Sequence, residues 1–386
     1  MVRLFRASAD ESQSVLNSAQ AALLAERAAG LDPDRLIACV RACGFDENRY
    51  LNDQPDLQSA GFDAPQALHH FLAQGYAQNR NVTCGMLPDG LDDIRSLAPL
   101  NRDYIGGLFR SLFFGQARNP RTADRLWAGI DPRTIACLRA MAGRPYVVIG
   151  DSHANHYLRR TSLDERWLAA LPMVCIGGAA MWLADENSRT GFGERILRWA
   201  RAATEPWRRF DLPVFLKFGG IDAEFLWMRI RVRSGAYRFS IAEFDDFARE
   251  SVSRYGYFLD ALTEVLDRGL LRICAAYPAV HNDADWIGGF LDVHRPADRA
   301  DLARELAKTE IPDRSTRTQL RRIYNEYLKY TCRTKSLAFV DDFSPFLDPN
   351  GDTDERCYTP HQGRDWHINY AASEERMVEI ISASIP

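Results

Sequence analysis

The sequence predicts an α/β fold, a parallel sheet covered by helices on both faces, preceded by a small all-α N-terminal module. Three observations predict it. Short runs rich in β-branched and aromatic residues recur between residues 146 and 343, each ending near a glycine, a proline or an acid. Longer stretches with apolar residues at helical spacing separate these runs. Residues 11–82, in contrast, carry helical periodicity and turn signals only. Strands that alternate with helices pair in parallel under a helical cover on each side, with right-handed crossovers. The expected arrangement is a three-layer α/β/α sheet of the flavodoxin-like kind.

The elements follow in order. Residues 11 to 42 read as helix in two halves, with Gly30 and Gly44 as stops. Arg49 to Val82 contains Tyr50-Leu51, Pro55-Asp56, His69-His70-Phe71-Leu72, Gly75 and Arg80. These residues resemble a small helical module found in bacterial glycosyltransferases and other polysaccharide-synthesis proteins. Adjacent side chains on a helix diverge, so His69 and His70 are expected as one exposed and one packed histidine rather than a metal pair. Cys84 to Leu100 reads as a linker and Asn101 to Gly143 as further helix. The expected domains are a helical module over 1–95, a helical lead-in over 96–140 and an α/β domain over 141–386.

The α/β domain opens with the strand Tyr146–Ile149, followed by helix-like residues to about Ala170. The next strand is expected at 173–176, with a helix over 186–204. The uncharged stretch Trp167 to Ala184 is interrupted by Pro172 and Gly177-Gly178. It therefore reads as helix end, strand and turn rather than as a membrane span. A strand at 214–218, an insertion over 223–245 and a helix over 244–269 come next. A strand at 271–275 leads into a polar loop. A helix over 316–333, a strand within 337–343 and a last helix after Asn369 complete the pattern.

Composition sets bounds. The chain has 386 residues, 46% hydrophobic and 26% charged, so a sizeable core can form. A net charge of −4 gives no nucleic-acid footprint. The first fifteen residues carry no apolar leader, which predicts a cytoplasmic protein, with no transmembrane segment. The eight cysteines include no CxxC pair, so they are expected as buried, reduced thiols and no metal site is implied. No glycine-rich nucleotide fingerprint is present, and no cofactor is expected.

Gly150-Asp151-Ser152-His153 follows the first strand directly. A serine on a glycine turn at the carboxyl end of a parallel strand lies where open α/β sheets bind ligands. The competing explanation is a helix N-cap, a common use of Asp and Ser. Gly177-Gly178, then Gly219-Gly220-Ile221-Asp222, then Asp365-Trp366-His367 come later in the chain. In order and spacing these four blocks resemble those of the SGNH, or GDSL-type, hydrolases, from about Tyr146 onward.

The resemblance implies Ser152 as nucleophile, His367 as its base and Asp365 as the group that orients the imidazole. A serine hydroxyl needs such a base at neutral pH. The resemblance also implies an oxyanion hole with Gly178 as one backbone donor. Gly220 and Asp222 belong to its third block, and His153 could touch a bound acyl group or sugar. Two departures stand out. The acid lies two residues before His367 rather than three, so Asp354 or a backbone carbonyl is an alternative orienter. Ile221 occupies the position of an asparagine donor, as in SGNH-like proteins with an FGxID block. Asn155 and His156, like His153, are expected as exposed residues of a helix start. Trp182, Trp227 and Trp366 lie near the blocks, where a buried core position or stacking on a sugar are the two readings.

The expected function is hydrolysis or transfer of an acyl ester, acetyl above all, on a carbohydrate in bacterial polysaccharide synthesis. Glycan-synthesis enzymes are the expected partners. A non-catalytic glycan-binding protein of the same fold and a generic lipase or thioesterase are the rivals.

Overall fold

A computed structural model describes residues 21–78, 80, 82, 84, 88–117, 132–159, 162–163, 166–204, 210–294, 296–358 and 366–385. The chain divides into two compact units, Met1–Pro145 with Asp164–Ala169, and Tyr146–Leu163 with Ala170–Pro386. No helix among the described residues is long and apolar enough to cross a membrane.

In the first unit a helix over 21–27 precedes α1 (Pro33–Ala42), α2 (Glu47–Asn52), α3 (Pro55–Ser59) and α4 (Ala64–His70). Later come α5 (Pro88–Leu97), α6 (Arg102–Ala117) and α7 (Pro132–Ala140). Local chemistry starts these short helices. Asp32, Asp46 and Asp63 each accept a backbone N–H from the first turn that follows, and Asp63 with Gln66 forms a capping box. Prolines stand in the first turn of α1, α3 and α4, where no N–H is needed.

The pair His69-His70 behaves as the divergence rule requires, with His69 exposed and His70 buried. His70 Nδ1 lies 3.0 Å from the Tyr50 hydroxyl. Burial pushes the His70 imidazole down to about 4. Gly75 closes the same knot, because a β-carbon there would run into the Tyr50 hydroxyl.

The sheet consists of β1 (Gly143–Gly150), β2 (Ser162–Leu163), β3 (Arg166–Val174), β4 (Val214–Lys217), β5 (Leu271–Cys274) and β6 (Ala338–Val340). Their order is β2-β3-β1-β4-β5-β6. β1, β4, β5 and β6 pair in parallel, with Val148 opposite Phe215 and Ile273 opposite both Leu216 and Phe339. Tyr146 to Ile149 and Val214 to Leu216 are wholly buried, as strands of a parallel sheet should be.

The helices of the second unit are α8 (Phe192–Ala203), α9 (Trp227–Ser234), α10 (Ile241–Thr263), α11 (Asp283–Asp292), α12 (Pro296–Leu306), α13 (Arg314–Thr334) and α14 (Glu374–Ser384). Ser240, Asn282 and Asp313 cap α10, α11 and α13. α10 packs against α13, and α13 against β6.

Four expectations are corrected. The stretch Cys84 to Leu100, expected as a linker, contains the helix α5. Residues 166–172 are strand, not helix, because the apolar run Trp167–Leu171 is buried within β3 on the far side of β1. A short uncharged run fits either state, and tertiary pairing decides. The insertion over 223–245 contains α9. The polar loop after Pro278 holds α11 and α12, whose start is set by the Asn282 cap and two acids in the first turn.

Candidate active site

β1 runs to Gly150, where a β-carbon would collide with the Lys217 backbone of β4. Only glycine lets the two strand ends approach this closely. The Asp151 N–H then donates to the Lys217 carbonyl over 3.0 Å. A six-residue 3-10 turn, Ser152–Tyr157, follows at once. Its cap is Asp151, whose Oδ1 accepts the His153 N–H over 2.9 Å and lies 2.8 Å from His153 Nδ1. Capping is thus Asp151's task, and Ser152 stands half-buried as the first residue of the turn.

Three imidazoles gather at this turn. The His367 ring lies 5.0 Å from that of His153 and 5.8 Å from that of His156. The Tyr277 ring lies against both turn histidines, at 5.8 and 5.3 Å. His153 and His156 are therefore buried, contrary to the expectation of exposure, while Asn155 does face solvent. Their burial comes from Tyr277 and from α14, which packs on the turn.

Arg159 ties the turn to the segment after His367. It is fully buried. Its guanidinium donates to the His156 carbonyl over 2.6 Å, the Tyr370 carbonyl over 2.9 Å and Ser373 Oγ over 2.8 Å. Arg159 Nη2 also lies 3.3 Å from His156 Nδ1. A guanidinium only donates, so that nitrogen accepts and the His156 proton sits on Nε2. Burial first, then the Arg159 charge, hold His156 well below the ordinary imidazole value.

The charges around Asp151 and His153 oppose one another. Burial pushes the Asp151 carboxyl up, but the His153 imidazole, its hydrogen bonds and Lys217 outweigh that and leave it lowered. Burial lowers His153, and His367 and Lys217 add to this against the pull of Asp151. The result is an ionised Asp151 beside a neutral His153.

The remaining predicted residues are placed as follows. Gly220 lies against His153, where a β-carbon would stand 3.0 Å from Cε1. Gly219 has φ +102, and a β-carbon there would meet Tyr324 at 2.6 Å. Asp222 is wholly buried and accepts the Ala180 N–H over 2.6 Å, the Met181 N–H over 3.0 Å and Ser251 Oγ over 2.9 Å. It thus fastens the loop after β3, and burial pushes its carboxyl up to about 6. The Gly178 N–H donates to the Cys175 carbonyl over 2.7 Å in a turn with Gly177 at φ +74. Ile221 is half-buried. Asp365 lies outside the described residues. Asp354 spends its carboxylate on Arg356 and Arg376, at 2.6 and 2.9 Å. Trp227 is buried, Trp182 is partly exposed, and Trp366 packs between Phe225 and His281 at 4.4 and 4.0 Å.

A buried network beneath the histidines escapes sequence reasoning. Lys217 Nζ pairs with Asp342 Oδ2, which also accepts the Tyr157 hydroxyl over 2.7 Å. The same ammonium lies 3.3 Å from the centroid of the Tyr277 ring. A lone lysine at a strand end carries no signal of this kind, since lysine is almost always a surface residue. All eight cysteines are free thiols in buried positions. Among the described residues no group of three or more His, Cys, Asp or Glu side chains is arranged to hold a metal ion.

No family model matches this chain. No curated protein matches it either. Among solved structures the chain is similar to a GDSL-like lipase from Bacteroides thetaiotaomicron, at 11% identity and a TM-score of 0.35, over 70% of this chain and 98% of that one.

Proposed function

We propose that the second part of the chain, 141–386, is an SGNH-like serine esterase or O-acyltransferase on a three-layer α/β/α sheet. In this reading 1–95 is a helical module and 96–140 a lead-in. The observation that carries the proposal is the gathering of His367 with the Ser152 turn. Two sequence blocks more than 200 positions apart meet at the carboxyl end of β1.

Ser152 Oγ attacks the ester carbonyl while His367 takes its proton and returns it to the leaving oxygen, with Asp365 orienting the imidazole. A backbone N–H of the Ser152 turn holds the developing oxyanion, and Asp222 keeps the loop after β3 in place. The acyl-enzyme then passes its acyl group, acetyl in the first instance, to water or a sugar hydroxyl. The carbohydrate assignment, and polysaccharide synthesis as the setting, rest on the likeness of Arg49 to Val82 to the glycosyltransferase module.

One observation favours a non-catalytic glycan-binding protein instead. The Gly178 N–H is engaged by Cys175, and Ile221 has no side-chain donor, so two of three oxyanion donors are not on offer. The test is acetyl release from an acetylated sugar by the wild type and Ser152→Ala. Release that requires Ser152 supports the esterase. Tight glycan binding without release, unchanged in Ser152→Ala, supports the rival.

A further inference from the structure

At the Ser152 turn it is His153 whose imidazole lies against a buried carboxylate, that of Asp151. Asp151 Oδ1 lies 2.8 Å from His153 Nδ1 and also accepts the His153 backbone N–H. Asp151 is 1% exposed and His153 8%. An ionised carboxylate only accepts, so Nδ1 carries the proton of a neutral His153 and Nε2 keeps its lone pair. The ring is confined. Gly220 lies against its Cε1–Nδ1 edge, and the rings of Tyr277 and His367 border it at 5.8 and 5.0 Å. The charged or titratable groups around it include Asp151, His367, Lys217 and His156, with the Tyr277 ring packed against it.

This is the arrangement a general base needs: a carboxylate fixing one ring nitrogen, the other left as acceptor. It stands one residue from Ser152, beside a second imidazole. Acyl transfer to a hydroxyl has two half-reactions, and each needs a proton taken from an attacking oxygen.

We propose that Asp151 and His153 form a second carboxylate–imidazole pair at the Ser152 turn, and that His153 Nε2 takes the proton of the hydroxyl that attacks the acyl-enzyme. This rests on the serine esterase reading above. In the step, the acceptor oxygen bonds to the acyl carbon as its proton passes to His153 Nε2. The bond from the acyl carbon to Ser152 Oγ then breaks, and the same proton returns to Oγ. Nothing is oxidised or reduced. His367 serves the first half-reaction and His153 the second, with Asp151 as the positioning residue.

The test is burst kinetics of the full chain with 4-nitrophenyl acetate, with intact mass measured in parallel. His153→Gln should keep the burst, slow steady-state turnover by about 100-fold and accumulate acetyl on Ser152. His367→Gln should lose the burst itself. Asp151→Asn should follow His153→Gln, provided its circular dichroism matches wild type; His153→Gln decides if it does not. Equal loss of both phases in His153→Gln, or loss of neither, overturns the proposal. Absence of a burst in the wild type, with Ser152→Ala unchanged, overturns the esterase reading and this step together. Imidazole ¹⁵N spectra report on the pair whatever the activity. Wild-type His153 should show a protonated Nδ1 and a bare Nε2 at neutral pH, and Asp151→Asn should release that preference. A protonated Nε2 in the wild type overturns His153 as an acceptor.

Discussion

Lys217 and Asp342 meet at 2.7 Å in the interior of the second unit, 2% and 0% exposed at their side chains, on elements that flank β5. Neither charge has water to fall back on. Lys217→Met should therefore cost about 3–5 kcal/mol of unfolding free energy, because it strands a buried carboxylate. Lys217→Met combined with Asp342→Leu should be more stable than Lys217→Met alone. Urea midpoints of the three proteins measure this, and a double variant weaker than the single would contradict it.

If the serine reading holds, Ser152→Ala and His367→Ala should each remove most ester turnover. The double variant should be no worse than either, since nucleophile and base act as one unit. Additive losses would show that the two residues act separately.

Ile221→Asn tests the oxyanion side. A new amide donor that faces the oxyanion should raise turnover by up to about 100-fold. An amide that finds no partner should instead lower stability by about 1–3 kcal/mol and leave turnover flat. Turnover and thermal midpoint, read on the same samples, separate the two.

Asp222 and His70 should give pH dependences of opposite sign. The folded-state Asp222 carboxyl is raised to about 6, so the folded chain holds a proton that the unfolded chain has released. Stability should fall as pH rises from about 4 to about 6, by roughly 3 kcal/mol in all. Asp222→Asn should flatten that slope. His70 is lowered to about 4, so the unfolded chain binds its proton first as pH drops. Stability of the first unit should be lost as pH falls from about 6.5 towards 4. Hydrogen exchange of α4 against α10 across this range resolves the two contributions.

Gly75→Ala should destabilise the first unit by about 1–3 kcal/mol, since the new methyl meets the Tyr50 hydroxyl. Adding Tyr50→Phe should recover part of the loss by removing the colliding oxygen. Thermal midpoints of the two proteins check this.

Much of this was legible in the sequence. Tyr146–Gly150 reads as a buried strand with a glycine end because both faces are apolar and nothing polar interrupts it. α10 and α13 show through their length and periodicity. The run Trp167–Leu171 does not, since a few uncharged residues suit either state. α11 and α12 hide behind polar composition, although Asn282 marks their start. At the site, the block order names two segments whose rings come together, at His153 and His367, but not how their side chains sit. Burial of His153 and His156 depends on Tyr277 and α14, which are more than 100 positions away, and no local pattern records it.

The hold of Arg159 on Ser373 spans 214 positions of chain. On a ribosome adding about 5–20 residues per second, the serine turn would emerge roughly ten seconds or more before the segment that Arg159 grips. Until then the Arg159 guanidinium lacks the Tyr370 carbonyl and the Ser373 hydroxyl that hold it in the folded unit. The Ser152 turn therefore takes its folded packing only after the last described strand of the sheet, β6, has been made.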